Sequence, residues 1–300
     1  MLIKVLLSSY NGEKYIEEQL DSILAQKCSA DIEILVRDDG SKDSTDNILD
    51  RYQEKGLLKW YKGENLRCAR SFWDLMLNSG DADYYAFCDQ DDFWMNDKLE
   101  SAINMLGRED NNIPLLYSGN FIAVDKELKA IKKVDKGMKN TGFGNSLIKS
   151  LSPGCTFVFN KKACEIMRMY TGELDIHDWV AHKIVAAFGK VVYDPEPHML
   201  YRQHGNNVIG VAKNNCKLFF ARVKRFLNGT STGVRSKMAQ NLLDNFGNML
   251  SEEKLTVLKH LTDYKKSFKD KLTLLKDKHF DLGSPIANFQ FAILVLLNKV

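Results

Sequence analysis

Several features that would assign this chain to a common class are missing from its sequence. The six cysteines of its 300 residues are scattered and form no CxxC pair. Zinc-finger spacing and a disulfide framework are therefore excluded, and we predict reduced thiols. The formal net charge is only +3, and no aromatic–basic repeat is present. Nucleic acid is consequently not an expected partner.

Long hydrophobic runs are missing as well, although 44% of the residues are apolar. No run is long enough to span a bilayer. The first apolar run, Leu2 to Leu7, is too short for a signal-peptide core and has no small-residue cleavage site after it. We therefore expect a cytosolic protein, which can still bind as a peripheral protein to the inner face of the plasma membrane.

The first half of the chain alternates short apolar runs with amphipathic stretches. Strands are predicted at Ile3–Leu7, Ile32–Val36, Leu58–Tyr61 and Tyr84–Cys88. Helices are predicted at Tyr15–Leu24, Ser44–Tyr52, Arg70–Leu77 and Asp97–Leu106. This alternation predicts an α/β fold, a mostly parallel sheet between helices, in which ligands bind at the carboxyl ends of the strands.

The composition changes beyond Gly210, where glycine and strand signals become rare. Helices are predicted at Lys217–Leu227, Ser236–Leu250 and Glu253–Leu275 from their 3.6-residue apolar periodicity. We therefore predict two domains, an α/β domain over residues 1–210 and a helical C-terminal region over residues 211–300.

Polar turns follow three of the predicted strands, and none of them is a glycine-rich phosphate loop. The first turn is Ser8-Ser9-Tyr10-Asn11-Gly12-Glu13, which matches neither GxGxxG nor GxxxxGK[ST]. A dinucleotide-binding dehydrogenase is therefore disfavoured. The same turn lacks the arginine and lysine that a nucleotidyltransferase would need there.

The turn Asp89-Gln90-Asp91-Asp92 carries three carboxylates directly after a buried strand. Such a cluster is unfavourable unless a cation or a sugar hydroxyl binds there. Carboxylate oxygens suit Mg²⁺ or Mn²⁺, which are commonly shared with substrate phosphates. The alternative is a solvated turn that caps the following helix.

The turn Asp38-Asp39 is a second candidate site. Either carboxylate can accept hydrogen bonds from the imide N–H of uracil or thymine, or from ribose hydroxyls. The alternative is a helix cap formed together with Ser41 and Asp43.

Taken in order, these three turns resemble the motifs of family-2 nucleotide-sugar glycosyltransferases with the GT-A fold, over about the first 210 residues. The resemblance implies that the first two turns and a nearby arginine hold the nucleotide, through Ser8, Tyr10, Asn11, Glu13, Asp38, Asp39 and Arg67. It also implies that Asp91 binds the divalent ion and that Asp89 lies beside the ribose or diphosphate.

The family is inverting and requires a carboxylate base near the acceptor hydroxyl. By resemblance that base is Asp178, in the segment Ile176-His177-Asp178-Trp179. His177 and Trp179 would then lie on the acceptor side, together with Gly154 and Cys155 of the segment Ser152–Thr156.

The segment Tyr201-Arg202-Gln203-His204-Gly205-Asn206 resembles a sub-group that includes bacterial rhamnosyltransferases. The resemblance implies that Arg202 neutralises the leaving diphosphate and that His204 completes the metal shell. It further implies transfer of rhamnose from dTDP-rhamnose to a lipid-linked saccharide of a surface polysaccharide. Two alternatives stay open: transfer of another hexose from a UDP-sugar, and a nucleotide-sugar-binding protein without transfer activity.

The predicted helix Lys217–Leu227 interleaves basic with apolar side chains. Such a helix can lie on an anionic membrane surface, or it can pack on the catalytic domain with its basic side in solvent. The final apolar stretch, Pro285 to Leu297, can pack internally, enter a membrane interface or form a contact between two copies of the chain.

Overall fold

The structure is a computed structural model that describes residues 1–131, 134–135, 137–203 and 233–300. Its centre is an eight-stranded sheet with the order β3-β2-β1-β4-β7-β6-β8-β5. The strands are β1 (Leu2–Ser9), β2 (Asp31–Asp38), β3 (Lys59–Lys62), β4 (Tyr84–Asp89), β5 (Phe93–Trp94), β6 (Leu115–Val124), β7 (Phe157–Asn160) and β8 (Lys190–Arg202).

Helices lie on both faces of this sheet, and further helices follow at the C-terminal end. They are α1 (Ile16–Leu24), α2 (Thr45–Glu54), α3 (Arg67–Asn78), α4 (Lys98–Leu106), α5 (Phe143–Ile148), α6 (Lys161–Arg168), α7 (His177–Phe188), α8 (Val234–Phe246), α9 (Glu252–Asp263), α10 (Phe268–Lys276) and α11 (Pro285–Leu296). The predicted α/β class is confirmed.

Four strand pairings are parallel, and they include all three pairings among β1 to β4. The central strand β1 is buried on both faces because helices cover each side, which explains why its sequence is almost uniformly apolar. The carboxyl ends of β1, β2 and β4 therefore meet at one edge of the sheet, where the three polar turns begin.

The second half of the sheet contains antiparallel pairings that the sequence did not reveal. β7 runs antiparallel to both β4 and β6, and β5 runs antiparallel to β8. The 13-residue strand β8 was missed because polar residues and two prolines interrupt its apolar pattern. Its last residue, Arg202, lies directly under the acidic turn.

The C-terminal helices share a continuous buried cluster with the catalytic half of the chain. Leu242, Leu258 and Val295 belong to the same apolar cluster as Val180 and Ile184 of α7. This packing against the C-terminal helices therefore holds α7 in place. The division into residues 1–210 and 211–300 stays a prediction, since its boundary falls outside the described residues.

One predicted helix, Glu253–Leu275, is wrong as a single element. The chain leaves the helical conformation after Asp263 and starts again at Phe268. Ser267 explains the restart, because its side chain accepts a hydrogen bond from the backbone N–H of Asp270 and caps α10. Within the described part of the chain, no helix has the length and apolarity required to cross a membrane.

Candidate active site

The carboxyl edge of the sheet opens into a cleft of about 890 Å³. Its walls are the loops after β1 and β2, the start of α3, the acidic turn after β4 and the start of α7. The structure brings together ten of the residues singled out from the sequence: Ser8, Tyr10, Asn11, Asp39, Arg67, Asp89, Asp91, Gly154, His177 and Asp178.

Hydrogen bonds tie the first loop to the elements beside it. The backbone N–H of Asn11 donates to Ser41 Oγ at 2.8 Å, and Asn11 Oδ1 accepts from the backbone N–H of Lys42 at 2.9 Å. Asn11 adopts a left-handed backbone with φ of +48°, a region that asparagine tolerates better than most residues. Ser8 Oγ contacts Ser71 Oγ at 2.6 Å. This rim is therefore held in place by the protein itself.

Asp39 faces the cleft from the end of β2, and its carboxylate is held by three donors. The buried guanidinium of Arg37 forms an ion pair with Asp39. The backbone N–H groups of Leu66 and Arg67 donate to the two carboxylate oxygens at 2.8 and 2.9 Å. The resulting contacts fix the start of α3 against the second loop. Arg67 has a left-handed φ of +66° at this point.

Asp38 lies beneath the loop rather than in the cleft, which corrects its predicted place among the nucleotide contacts. It is fully buried, and its Oδ2 accepts from the backbone N–H groups of Ser41 at 2.7 Å and Gly40 at 3.1 Å. Its Oδ1 accepts from Ser9 Oγ at 3.1 Å and from the hydroxyl of Ser41. Asp38 therefore shapes the turn that presents Asp39.

Glu13 lies outside the cleft in which its contact with the nucleotide was predicted. Its Oε2 accepts from the backbone N–H of Ser44 at 2.9 Å, and its own N–H donates to Asp43 Oδ2 at 3.0 Å. This reciprocal pair closes the N-terminal end of α2. Glu13 lines a separate shallow groove on the outer side of α1.

The acidic turn divides its three carboxylates between two levels. Asp89 and Asp91 line the cleft, while Asp92 is fully buried beneath them. Burial and the neighbouring Asp91 carboxylate raise the pKa of Asp89 to about 7. Burial and the same neighbour raise the pKa of Asp92 well above its usual value. Ionised carboxylates that lie close together repel one another, so such a cluster favours bound protons or a bound cation.

The donor set of this turn fits a hard divalent cation. One oxygen each of Asp89 and Asp92 and the thiol of Cys155 all lie within 4.8 Å of one another. Asp92 Oδ2 is buried and has no hydrogen-bond partner among the residues that the structure describes. Carboxylate oxygens are the ligands that Mg²⁺ and Mn²⁺ prefer and a thiol is not, so Asp89 and Asp92 fit such an ion and Cys155 does not.

Cys155 was expected on the acceptor side, but it lies behind the acidic turn. It is buried and does not line the cleft. Burial, followed by the nearby carboxylates of Asp92 and Asp89, raises the pKa of the Cys155 thiol well above its usual value. The thiol lies beside the carboxylates of Asp89 and Asp92, and its predicted role on the acceptor side stays a prediction. The five described cysteines are all free thiols.

Arg202 anchors the acidic turn and does not line the cleft, so the diphosphate contact that the resemblance implied stays a prediction. Its buried guanidinium donates to the carbonyl of Asp91 at 2.8 Å and to that of Lys126 at 2.6 Å. It also pairs with Glu18 and lies 4.6 Å from the ring centre of Tyr15. The backbone N–H of Arg202 donates to an oxygen of Asp92 at 3.0 Å.

Gln90 is a residue of the site that sequence reasoning missed. Its Oε1 accepts from the backbone N–H of Tyr10 at 2.8 Å, and its Nε2 donates to the carbonyl of Tyr10 at 3.0 Å. This paired amide contact joins the acidic turn to the first loop. Nothing in the sequence indicates that a glutamine at this position joins two loops, because its partner is the backbone of a residue far away along the chain.

Asp178 stands at the start of α7 and lines the same cleft as the loops after β1 and β2. The backbone N–H of Gly154 donates to Asp178 Oδ2 at 3.0 Å and sets the direction of the carboxylate. Asp178 Oδ1 is buried without a hydrogen-bond partner in the described ranges. The side chain is therefore oriented through one oxygen and can accept a proton at the other.

Two further acceptor-side predictions have different outcomes. His177 lines the cleft and stacks on Phe72 with ring centres 4.3 Å apart, and burial lowers its pKa. Trp179 does not line the cleft; it packs against the core, with Lys183 Nζ 4.6 Å from its ring centre. A neutral imidazole and a carboxylate therefore stand side by side at this wall. His204 lies outside the described residues.

A mostly parallel sheet with a cleft at its carboxyl edge, lined by an acidic turn and by a further carboxylate on α7, is the arrangement of a glycosyltransferase of the GT-A type. Comparison with known sequences agrees. The sequence model described as Glycosyl transferase family 2 matches residues 4–164. The chain belongs to glycosyl transferase family 2.

A full-length relative carries a more specific name. The dTDP-rhamnosyl transferase RfbG of Shigella flexneri is 32% identical over 253 residues, which cover 80% of this chain and 85% of that protein. The chain is thus a glycosyltransferase close to a dTDP-rhamnosyl transferase.

Solved structures share the fold at lower identity. Staphylococcus aureus TarS, crystallised with UDP-GlcNAc, matches with a TM-score of 0.61 and 18% identity, covering 98% of this chain and 81% of that chain. The mannosyltransferase PcManGT from Pyrobaculum calidifontis, in complex with GDP-Man and Mn²⁺, matches with a TM-score of 0.50 and 15% identity, covering 99% of this chain and 88% of that chain. Both support the GT-A fold.

Proposed function

We propose that this chain transfers rhamnose from dTDP-rhamnose, with inversion, to a hydroxyl of a lipid-linked saccharide during synthesis of a bacterial surface polysaccharide. The single observation that carries the transfer reaction is the pair of carboxylates that line one cleft, Asp91 at the acidic turn and Asp178 at the start of α7. The similarity to RfbG supports rhamnose as the sugar.

The nucleotide is held at the rim formed by the first two loops. Asp39 presents a carboxylate whose direction is fixed by Arg37 and by the start of α3. Tyr10, which is exposed at this rim, offers an aromatic face for the base, and Asn11 offers an amide. Because these groups are bound to one another, they lose little freedom when the donor binds.

The acidic turn would hold Mg²⁺ or Mn²⁺ through Asp91 and Asp89, and Asp92, which has an oxygen within 4.8 Å of one of Asp89, can supply a further ligand. Arg202 would keep the turn in shape. A bound divalent ion neutralises charge on the diphosphate while the bond to the sugar breaks. His204 stays a proposal as a further ligand. In PcManGT, which shares the fold, Mn²⁺ accompanies GDP-Man.

Asp178 acts as the general base in this proposal. Gly154 holds one carboxylate oxygen, and the other removes the proton from the acceptor hydroxyl as that hydroxyl attacks the sugar. The backbone of Pro153 and Gly154 borders the same wall and would contact the acceptor, together with His177. The acceptor therefore enters between α7 and the segment before β7.

The remaining parts of the proposal concern place and partners. A lipid-linked acceptor requires the protein to work at the inner face of the plasma membrane, as a peripheral protein. The predicted basic helix Lys217–Leu227 supports attachment to an anionic surface from the sequence alone, and it lies outside the described residues.

A panel of nucleotide sugars tests the donor. The purified protein is given dTDP-rhamnose, UDP-glucose, UDP-GlcNAc or GDP-mannose together with a membrane extract of lipid-linked saccharides, and products are identified by mass spectrometry. The proposal predicts a product heavier by the mass of one rhamnosyl residue only with dTDP-rhamnose. If a hexose is transferred from a UDP-sugar instead, the donor is that UDP-sugar and not dTDP-rhamnose. Binding of a nucleotide sugar without any transfer would contradict the enzyme assignment.

A further inference from the structure

An exposed apolar surface lies on the last two helices, far from any role in the reaction. Five large apolar side chains of this region are largely open to solvent: Phe268 (66% exposed), Ile286 (71%), Phe289 (67%), Leu296 (47%) and Leu297 (52%). We call these five residues the tail apolar face. Large apolar side chains exposed together on one side of a helix, as Ile286, Phe289 and Leu296 are, mark a contact with a partner or a membrane.

The geometry of α11 explains why its apolar residues cannot all be buried. Ile286, Phe289 and Leu296 recur at helical spacing along one side, while Phe291 and Val295 on the other side are buried against the core. The helix is apolar on both sides. Its 12 residues span about 18 Å, well short of the roughly 30 Å of a bilayer's hydrocarbon core.

The sequence that carries this face has an excess of positive charge. Residues 264–300 contain seven lysines and three aspartates, an excess of four positive charges, whereas the whole chain carries a formal net charge of only +3. Phe268 stands between Lys266 and Lys269 in the sequence. Lys271 Nζ donates to the carbonyl of Leu296 at 3.0 Å, which places an ammonium group at the exposed end of α11.

We propose that the tail apolar face lies in the interface of an anionic phospholipid membrane, with α11 parallel to the membrane plane. Apolar side chains would enter the headgroup–acyl boundary, and the surrounding lysines would face anionic headgroups. This inference rests on the membrane attachment in the proposed function and names the segment that makes the contact, which requires neither donor nor acceptor.

Charge favours a membrane over a second copy of the chain as the occupant. A two-fold symmetric dimer places the same patch of each subunit against its counterpart. The lysine excess of one copy would then meet the lysine excess of the other, which is unfavourable at an interface. An anionic membrane carries the complementary charge.

Sedimentation with lipid vesicles tests the proposal. The full chain is mixed at low salt with vesicles of phosphatidylglycerol and phosphatidylcholine, and separately with vesicles of phosphatidylcholine alone. We expect binding to the anionic vesicles and weak binding to the neutral ones. The double variant Ile286→Ser/Phe289→Ser should bind anionic vesicles about thirtyfold or more weakly, since it removes two large side chains from the interface.

A matched control removes equally exposed apolar side chains elsewhere. Met138 and Met169 are 75% and 54% exposed, and the variant Met138→Ser/Met169→Ser should bind vesicles like the wild type. Circular dichroism confirms that both double variants are folded. Equal vesicle binding by wild type and Ile286→Ser/Phe289→Ser would overturn the proposal.

Two further readouts distinguish the membrane contact from a dimer contact and from a role in the reaction. If Ile286→Ser/Phe289→Ser converts a dimer into a monomer in sedimentation velocity while vesicle binding is unchanged, the face is a contact between copies and the proposal is overturned. Turnover of donor on a soluble saccharide acceptor tests the reaction independently. If Ile286→Ser/Phe289→Ser loses vesicle binding but keeps its turnover, the membrane contact is supported. If the wild type binds vesicles but shows no turnover, the proposed reaction is contradicted and the membrane contact is not.

Discussion

Replacement of Gly154 by alanine tests how tightly the proposed base is positioned. A Cβ built at this position lies 2.7 Å from His177 Nε2 and 3.0 Å from Asp178 Cβ. Ordinary contacts of a Cβ begin near 3.4 Å, so the histidine ring must move by about 0.7 Å and Asp178 by a few tenths of an ångström. The hydrogen bond from Gly154 to Asp178 lengthens or bends as a result.

The magnitude follows from these distances. Overpacking of a buried site typically lowers stability by about 1–3 kcal/mol. A displacement of about 1 Å at the reacting groups lowers the rate by about a hundredfold, so the smaller shift of Asp178 should reduce kcat by roughly tenfold to a hundredfold. Donor affinity should stay within about twofold, because the atoms nearest to the added Cβ belong to His177 and Asp178 and not to the nucleotide loops.

The assay compares kcat with the dissociation constant of the donor and with the free energy of unfolding in urea. Gly247→Ala is the matched control, since nothing lies within 4 Å of a Cβ there and its φ of −51° is ordinary for alanine. The control should match the wild type in all three measurements. A Gly154→Ala enzyme with wild-type kcat would refute the view that this contact positions Asp178.

Three further predictions concern the metal turn, its anchor and the membrane. Asp91→Asn should abolish most metal-stimulated transfer, because a neutral amide cannot offset the charge of Mg²⁺ or Mn²⁺, and full turnover by metal-free wild type in chelator would contradict this. Arg202→Lys should weaken Mn²⁺ binding, measured by calorimetry, and should lower the free energy of unfolding by about 2–4 kcal/mol. A lysine cannot reproduce the several hydrogen bonds that the buried guanidinium donates at the acidic turn. Unchanged Mn²⁺ affinity would show that the anchor is dispensable. Charge reversal at Lys217, Lys224 and Arg225 should weaken binding of the chain to anionic vesicles, to which the tail apolar face still contributes, and should leave turnover on a soluble acceptor nearly intact. Undiminished vesicle binding would count against the predicted basic helix.

The sequence was sufficient for the parts of the fold that local patterns determine. Strands β1, β2 and β4 are apolar runs bounded by polar turns, and the structure has them within a few residues of the predicted bounds. Parallel strands bring their carboxyl ends to one edge, so the gathering of Asp39, Asp89 and Asn11 in one cleft follows from topology alone.

Long-range contacts account for what the sequence could not provide. Asp38 and Asp39 are chemically identical neighbours, and only the folded loop turns one toward the cleft and the other toward Ser41. Arg202 is 110 residues from Asp92 along the chain, and no local signal indicates that its backbone meets that carboxylate.

The strand β8 illustrates the same limit at the level of the fold. It pairs in parallel with β6 and antiparallel with β5, and these partners stabilise it despite two prolines. Strand propensity is decided by such neighbours more than by the segment itself. The antiparallel half of the sheet was therefore beyond a pattern-based prediction.

The most direct test of the central claim is the rate of sugar transfer by Asp178→Asn, measured beside its donor affinity. Asparagine keeps the size of the side chain and the acceptor for the Gly154 N–H, but it cannot take up a proton. We predict a fall in kcat of about a hundredfold to ten-thousandfold, with the donor dissociation constant unchanged within about twofold. Transfer at nearly the wild-type rate would contradict the account, because the base would then have to be another residue.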